Sequence, residues 1–356
     1  MATTAYGVNH PLAVKLWSKK LIREALKETF VQRFMGSSPD SLVQIKDETS
    51  KSAGDRVTFG LRMQLSGAGV SGDGTLEGQE EALSTYSDNL FIDQLRHAVR
   101  SDGRMSEQRV PFSVREEAMS GLRDWWADRI DTAFFNQIAG NTGQADTRYT
   151  GLQAALAPTS ATGNTRILYA GDEGTEASVS TSTTAANHFL LTLVDRAVNQ
   201  AKLASPLIRP VRTAMGPKYV MFLHPNQVYQ MRTDATANRV TWYDTQKARV
   251  GGGELDNGIF NGALGEYNGV VLHESTRVPL APSTTAVRRA IFCGAQSAVF
   301  ATGADNAGQQ MSWVEELFDY GNQLGVSAGM IWGLKKAKFN SIDFGSIVVS
   351  TYSPSP

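Results

Sequence analysis

The sequence predicts an α+β protein that combines an extended two-stranded arm, one long helix and a compact α/β region. Three observations predict this class. Residues 55–65 alternate apolar and polar side chains, which is the period of a half-buried strand. Residues 113–139 carry apolar side chains at helical spacing. Three short apolar runs after residue 215 are bounded by turn residues, as buried strands are.

The composition limits the class of function. The chain has 356 residues, of which 41% are hydrophobic, and 34 basic residues oppose 35 acidic ones for a formal net charge of -1. This balance argues against a protein that binds nucleic acid through a broad basic face. The single cysteine, Cys293, lies in an apolar run and is interpreted as an inert buried thiol. The sequence predicts no signal peptide and no membrane span.

The first predicted element is a helix that begins at Pro11. Val14, Trp17, Leu21 and Ala25 follow steps of three and four, so they share one face. Lysine and arginine side chains line much of the opposite side. We interpret them as a solvated basic face, with contact to an acidic partner as the alternative.

The arm follows. Its first strand carries Val57, Phe59, Leu61, Met63 and Leu65 on one side. Residues 66–82 contain five glycines and the acids Asp73, Glu77, Glu80 and Glu81, with no basic residue. The stretch STYSDNLFIDQLRH then predicts a return strand. A lone two-stranded arm is marginally stable in water, so its apolar face requires a cover from elsewhere.

Residues 113–139 predict a helix of roughly 40 Å, because each residue rises about 1.5 Å. Leu122, Trp126, Ile130 and Phe134 recur at steps of four, and each step overshoots one turn. The apolar stripe therefore winds around the helix, and we expect its two ends to pack on different neighbours. A loop-rich connector at residues 141–185 follows, with RILYA as a short strand.

Residues 185–300 predict alternating helices and strands, with YVMFL, GVVLHE and AIFCGA in one sheet. The remaining residues, to the C-terminus, predict further strands punctuated by glycine. This part of the chain therefore predicts the α/β region.

The motifs predict no catalytic residue, no cofactor-binding residue and no metal ligand. The Gly67–Gly72 stretch fits a dinucleotide pattern, but no helical periodicity follows it, which favours a flexible loop. The stretch GVSAG around Ser327 fits a nucleophile elbow, although no histidine follows it in the chain. A serine hydrolase using Ser327 is kept as an alternative. No two of the five histidines have metal-ligand spacing.

The densest basic regions are Arg96, Arg100, Arg104 and Arg109, and then Lys335, Lys336 and Lys338. We interpret them as ion pairs and solvated faces. Contact with nucleic acid or with an acidic partner surface is the alternative.

Eight stretches of the sequence resemble one family. They are NHPLAVKLWSKKL, RFMGSSPDSLVQIKDETSK, GDRVTFGLRMQLSG, GTLEGQEE, YSDNLFIDQLRHAVRS, RVPFSVREEA, WWADRIDT and LGVSAGMIWGLKKAKFN. They are similar to the major capsid proteins of tailed bacteriophages with the HK97-like fold, in the group that contains the phage N4 major capsid protein. The similarity runs over nearly the whole chain.

The resemblance implies an assignment of parts. They are an N-terminal arm (1–45), an extended loop or E-loop (46–110), a peripheral domain with a connector and a spine helix (111–184, the helix at 113–139), an axial domain (185–300) and a C-terminal return to the peripheral domain (301–356).

The resemblance also implies a function. The chain would be a structural subunit, not an enzyme, that assembles as hexamers and pentamers into an icosahedral head shell around phage double-stranded DNA. The E-loop would lie over a neighbouring copy, which would cover its apolar face. Its acids Glu77, Glu80 and Glu81 would meet a basic region such as residues 96–109. An encapsulin-like cellular shell and a nucleic-acid-binding protein are the alternatives.

The family's namesake locks its shell with an isopeptide bond from an E-loop lysine. Here no lysine lies between Lys51 and Lys202, so we expect a noncovalent shell, with a cement protein as a candidate reinforcement. About ten residues precede the first predicted helix, so we expect a separate scaffolding protein. The other expected partners are a portal and packaged DNA bound without sequence specificity, with no membrane. We expect assembly in the host cytoplasm and residence in the virion.

Overall fold

The computed structural model describes the chain from residue 29 to residue 354 with several gaps. The described ranges are 29–46, 55–62, 65, 67–83, 85–109, 111, 113–161, 163–181, 184–213, 216–233, 242, 263–303 and 310–354. The predicted helix that begins at Pro11 lies outside them up to residue 28, and Met63 lies outside them as well.

The α-helices of the described residues are α1 (Arg104–Gln108), α2 (Val114–Ala139), α3 (Glu176–Thr181), α4 (Leu191–Leu203) and α5 (Pro225–Thr233). Short 3₁₀ turns lie at Phe30–Phe34, Thr147–Tyr149, Ala170–Asp172 and Ala185–Asn187. The predicted long helix at 113–139 is therefore present as α2, and the predicted helix after residue 184 begins at Leu191.

The strands are β1 (Met35–Gly36), β2 (Val43–Lys46), β3 (Arg56–Arg62), β4 (Thr85–Phe91), β5 (Asp93–Arg100), β6 (Ile167–Tyr169), β7 (Val211–Thr213), β8 (Gly216–Leu223), β9 (Ala263–Tyr267), β10 (Val270–Glu274), β11 (Val287–Cys293), β12 (Ala298–Thr302), β13 (Met311–Phe318), β14 (Gln323–Lys336), β15 (Lys338–Phe339), β16 (Ile342–Asp343) and β17 (Ser346–Tyr352). Two larger sheets and two separate hairpins, β3–β4 and β15–β16, contain all of these strands.

The first sheet has six strands in the order β1-β2-β12-β14-β13, with β5 paired along β14. Its long strand β14 presents alternate residues to the two faces of the sheet. Val326 and Ala328 are buried, whereas Gly325 and Ser327 lie on the other face. The inward face packs on α2 in the largest hydrophobic core.

The spine helix α2 contributes Leu122, Trp126, Ile130 and Phe134 to that core, and all four side chains are buried. Its C-terminus ends at Gly140, whose φ is 63°. A Cβ at this position would lie 2.6 Å from the carbonyl oxygen of Leu156, so both the left-handed turn and the close approach require glycine.

The two ends of α2 pack on different neighbours, as the winding stripe predicts. Near its start, the Arg115 side chain pairs with Glu315 of β13 at 2.7 Å. At its end, the Arg289 guanidinium of β11 donates to the carbonyl oxygens of Ala139 and Gly140 at 2.9 and 2.7 Å. The helix thereby joins the first sheet to the second.

The second sheet has seven strands in the order β6-β17-β11-β8-β10-β9, with β7 on β8. Both of its faces are covered. Val220 and Phe222 of β8 face the α2 core, whereas Tyr219 and Met221 face a core that contains α4 and α5. Burial on both faces explains why YVMFL is a continuous apolar run. The strands predicted from YVMFL, GVVLHE and AIFCGA all lie in this sheet.

Three strand pairings join residues that the predicted ranges assign to different parts. Strand β5 falls in the range assigned to the E-loop, yet it pairs with β14 in the first sheet. Strand β6 of the connector and the C-terminal strand β17 both pair within the second sheet. These pairings join residues that are more than fifty positions apart in the chain, and such pairings have no local sequence signal. The predicted boundaries stay predictions.

Candidate inter-subunit hairpin

The hairpin of β3 and β4 forms from the alternating stretch at residues 55–65. The two strands are antiparallel, and Val57 lies opposite Leu90, Phe59 opposite Asp88 and Leu61 opposite Tyr86. Residues that lie opposite one another share a face of the pair. The predicted strand and its predicted return are therefore both present.

The root of the hairpin is covered by its own subunit, which corrects the expectation that a neighbouring copy covers it. Val57 and Phe59 are only 4% and 8% exposed in the free chain. They pack in a small core with Leu90, Val299, Ala301, Ala337, Phe339 and Phe344. Leu61 packs partly buried against the same core. The expectation is therefore wrong for Val57 and Phe59.

The physical reason is that the same chain supplies an apolar surface beside the hairpin. The ring centroids of Phe59 and Phe339 lie 5.8 Å apart, edge to face, and Phe339 contacts Phe344 in the same way at 5.2 Å. A contact within one chain avoids the entropy loss of bringing two molecules together. Phe339 and Phe344 lie far from the hairpin in sequence, and nothing in the local pattern points to them.

Polar contacts hold the same root in place. The carboxylate of Asp88 pairs with Nζ of Lys335 at 2.5 Å and accepts from the backbone N–H of Lys338 at 3.1 Å. Nζ of Lys335 also donates to the carbonyl oxygen of Asn89 at 2.8 Å. Lys335 and Asp88 are both largely buried. Asp88 is a residue that the sequence did not single out.

The neighbouring lysine lies deeper still. Nζ of Lys336 donates to Asp343 at 2.9 Å and to the carbonyl oxygen of Leu156 at 3.1 Å. Burial lowers the pKa of Lys336, and the charge of Asp343 opposes that shift. Lys338 lies 3.4 Å from the other oxygen of Asp343. The three lysines thus form ion pairs within the subunit, in agreement with their interpretation.

The tip of the hairpin, residues 65–83, contrasts with the root. Every described residue of the tip is exposed. Leu65, Leu76 and Leu83 are 59%, 60% and 57% exposed, and Val70 is exposed as well. Exposed apolar side chains that cluster on one protrusion are typical of a surface that binds a partner. The tip therefore offers exposed apolar side chains to a partner, and Leu65 is the predicted residue among them.

The acids of the tip differ in their contacts. Oε2 of Glu81 accepts from the backbone N–H of Gly67 at 2.6 Å, and Oε2 of Glu80 accepts from the N–H of Gly78 at 2.7 Å. Within the described part of the chain, Glu77 and Asp73 form no hydrogen bond or ion pair. The sequence pattern does not distinguish Glu77 from Glu80 and Glu81. The structure distinguishes them by their hydrogen bonds to the backbone.

A second exposed surface carries the opposite charge. Arg96 and Arg100 lie on β5, and Arg104 and Arg109 lie in and directly after α1; all four are exposed. The guanidinium of Arg100 stacks on the Phe318 ring, 4.3 Å from its centroid. Among the residues that the structure describes, none of the four forms an ion pair. This surface is therefore available to an acidic partner.

The geometry around Ser327 contradicts the hydrolase alternative. Ser327 lies in the middle of β14, between Val314 of β13 and Ala98 of β5, instead of at a turn from strand to helix. Its hydroxyl donates to the carbonyl oxygen of Val314 at 3.4 Å. His97 lies beside it in β5, but its ring stacks on Trp125 of α2 at 4.6 Å, on the other face of the sheet. No nucleophile elbow is formed.

The described ranges show no candidate metal centre. Within them, no group of three or more histidine, cysteine, aspartate or glutamate side chains is placed to hold a metal ion. The Gly67–Gly72 stretch is followed at residues 73–83 by exposed residues outside any helix, which argues against a dinucleotide site. No helix within the described residues is long and apolar enough to span a membrane.

The chain is similar to capsid proteins of known phages. A curated major capsid protein of Pseudomonas phage KPP25 is 29% identical over 367 residues, covering 94% of this chain and 93% of that protein. The solved capsid of Ralstonia phage GP4 is 33% identical, with a TM-score of 0.78 over 100% of this chain and 99% of the other.

A more distant structure shares the fold. The capsid of cyanophage Pam1 is 18% identical, with a TM-score of 0.71 over 100% of this chain and 95% of the other. The fold is therefore the HK97-like capsid fold. The model of the family described as phage capsid protein matches residues 4–355, and the chain therefore belongs to that family.

Proposed function

We propose that the chain is the major capsid protein of a tailed phage, and that its hairpin tip docks on a neighbouring copy in the shell. Copies assemble as hexamers and pentamers into an icosahedral head around double-stranded DNA. The subunit acts as a structural protein, not as an enzyme. The observation that carries the docking proposal is an apolar, acidic tip on a root that its own subunit holds.

The partner surface on the neighbour is the group of exposed arginines at Arg96, Arg100, Arg104 and Arg109. The tip has acids and no basic residue, and these arginines have no acidic partner among the described residues. Opposite charges across an interface steer association and set its register, and exposed pairs add modest affinity. Burial of the tip leucines supplies the larger part of the driving force.

Deleting the tip tests this proposal. In the variant, residues 67–82 are replaced by a two-residue glycine turn, which leaves the root and its core intact. We expect the subunit to keep its denaturation midpoint and to form no particles in electron micrographs. Normal particles from this variant would refute docking through the tip.

A charge exchange tests the partner surface. Changing Asp73 and Glu77, the tip acids that form no hydrogen bond or ion pair among the described residues, to lysine is expected to impair assembly without unfolding the subunit. Combining those changes with glutamate at Arg96, Arg100, Arg104 and Arg109 is expected to restore particles at low salt. If the combined variant assembles no better than the tip variant alone, another surface receives the tip.

The remaining partners follow from this role. We propose a separate scaffolding protein, a portal and a cement protein as partners, and DNA that contacts the inner wall without sequence specificity. Assembly takes place in the host cytoplasm, and the product resides in the virion. The closer grouping with the phage N4 capsid protein stays a prediction.

An encapsulin-like shell is the second candidate, because it would use the same fold. The matched family and relatives are phage capsids, which favours the phage head. Isolation of particles and analysis of their contents separates the two. DNA inside supports the proposal, whereas a cargo enzyme inside would support the cellular shell. Steeply salt-dependent DNA binding by the free subunit would instead indicate a nucleic-acid-binding protein.

A further inference from the structure

One charged hydrogen bond joins the two ends of the hairpin tip. Oε2 of Glu81 accepts from the backbone N–H of Gly67 at 2.6 Å, across 14 residues of chain. A Cβ at position 67 would lie 2.9 Å from that oxygen, so glycine lets the carboxylate approach without a shift of its side chain. The bond closes the tip into a loop with adjacent ends, as in the compact Ω-loops of protein surfaces.

Contacts inside the loop add to its shape. Glu80 accepts from the N–H of Gly78 at 2.7 Å, and the N–H of Gln79 donates to the carbonyl oxygen of Leu76 at 3.0 Å. The φ of Gly78 is 88°, a left-handed turn that favours glycine. The tip is therefore shaped by its own backbone and carboxylates.

This shape does not bury the apolar residues of the tip. Leu76 and Leu83 stay 60% and 57% exposed in the closed loop. Closing the loop therefore buries little apolar surface, and burial of these leucines does not stabilise the closed form. Closure does reduce the conformational freedom that the loop must lose when it docks, and so lowers the entropy cost of docking.

We infer that Glu81 is a clasp that holds the tip in its docking shape, and that the closed tip is the form that engages the neighbouring copy. This inference rests on the proposed docking of the tip. Glu81 is a positioning residue that acts on Gly67 of its own chain. Asp73 and Glu77, which form no hydrogen bond within the described residues, are left to face the basic surface of the neighbour.

A disulfide in place of the clasp gives the sharpest test. A Cβ built at position 67 lies 3.7 Å from the Cβ of Glu81, within the range of about 3.5–4.5 Å that a disulfide requires. The pair Gly67→Cys and Glu81→Cys is therefore expected to oxidise without moving the backbone. The native Cys293 is buried and does not compete.

The expected results distinguish a tip that docks while closed from a tip that must open before it docks. If the closed tip is the docking form, the oxidised double-cysteine variant assembles at least as well as the original chain. The reduced form and Glu81→Ala each require a several-fold higher subunit concentration for assembly. If the oxidised variant forms no particles and reductant restores them, the tip must open to dock, and the inference is wrong.

Hydrogen exchange in the unassembled subunit tests the clasp without assembly. Loss of a charged hydrogen bond in Glu81→Ala is expected to speed exchange of the Gly67 amide by about tenfold. The matched control, Glu77→Gln, changes one acid of the same loop and is expected to leave that rate unchanged. An equal Gly67 rate in the original chain and in Glu81→Ala would show that no clasp forms.

The two proposals fail in different ways. Normal particles from the tip-deletion variant would refute docking. The exchange rate of the Gly67 amide, measured in the unassembled full chain, would still show whether the hydrogen bond to Glu81 forms. Slow exchange at Gly67 together with failed assembly of the oxidised variant would refute the clasp as a docking aid, and docking itself would stand.

Discussion

At the scale of single residues, Asp88 links the hairpin root to the strands β14 and β15 by polar contacts. Its carboxylate pairs with Lys335 and accepts from the N–H of Lys338 while largely buried. We expect Asp88→Asn to lower the free energy of unfolding by about 1–3 kcal/mol. Urea denaturation of the unassembled subunit measures this change.

The matched control for that change is Asp124→Asn. Asp124 pairs with Arg123 on the surface of α2, and its side chain is 63% exposed. Exposed pairs of this kind contribute about 0–1 kcal/mol. Equal effects of the two substitutions would show that the burial of Asp88 does not increase its contribution to the free energy of unfolding.

Asp131 makes the stability of the folded chain depend on pH. Burial raises its pKa above the ordinary 3.8, although the N–H groups of Phe30 and Val31 and the charge of Arg277 oppose that shift. A carboxyl with a raised pKa binds its proton more tightly in the folded chain, so its contribution to stability is lost as pH rises through the folded pKa. An asparagine side chain at this position does not titrate, so the substitution Asp131→Asn removes this pH dependence.

The measurement compares the original chain with Asp131→Asn in denaturation experiments from about pH 3 to about pH 7. We expect the stability of the original chain relative to the variant to fall as pH rises above 3.8. A relative stability that rises over the same interval would reverse the sign and show that the buried carboxylate is favoured in its charged form.

Cys293 gives a simple chemical prediction. It is fully buried in β11, and burial raises the pKa of its thiol to about 12. The reactive form is the thiolate, so we expect no alkylation of the native subunit and complete alkylation after unfolding, as read by intact mass. Fast modification of the native chain would contradict the inert thiol that the sequence predicts.

At the scale of elements, α2 packs on the first sheet through a fully buried side chain. Trp126 is 0% exposed and lies in the main core, whereas its neighbour Trp125 is partly buried and stacks on His97. We expect Trp126→Ala to cost about 3–5 kcal/mol of unfolding free energy. Trp125→Ala is the control and should cost clearly less. A reversed order would mean that Trp125, at the edge of the core, contributes more to the packing than Trp126.

For the hairpin, the sequence pattern predicts the strand but not the residues that cover its apolar face. The alternation at Val57, Phe59 and Leu61 predicted a strand with one apolar face, and the structure has that strand as β3. The pattern says that a face is apolar, but it does not say which surface covers it. Val299 and Phe339 cover it, and they lie more than two hundred residues away.

At the scale of the whole molecule, the lysine distribution predicts a noncovalent shell. No lysine lies between Lys51 and Lys202, so the tip lacks the amine for an isopeptide bond. Particles boiled in detergent with reductant are expected to run as one band near 38.6 kDa. A series of covalent multimers on the same gel would show a crosslink from another position.

The sequence by itself determined the fold class, the long helix with Leu122, Trp126, Ile130 and Phe134 inward, the strands YVMFL, GVVLHE and AIFCGA, and the resemblance to a phage capsid family. These depend on side-chain periodicity and on words that are local in the chain. Only the tertiary structure decided that the hairpin root belongs to its own core, that β17 completes the second sheet, and that Glu81 differs from Glu77. Each of these depends on which distant residues meet, and a contact between distant residues has no period in the sequence.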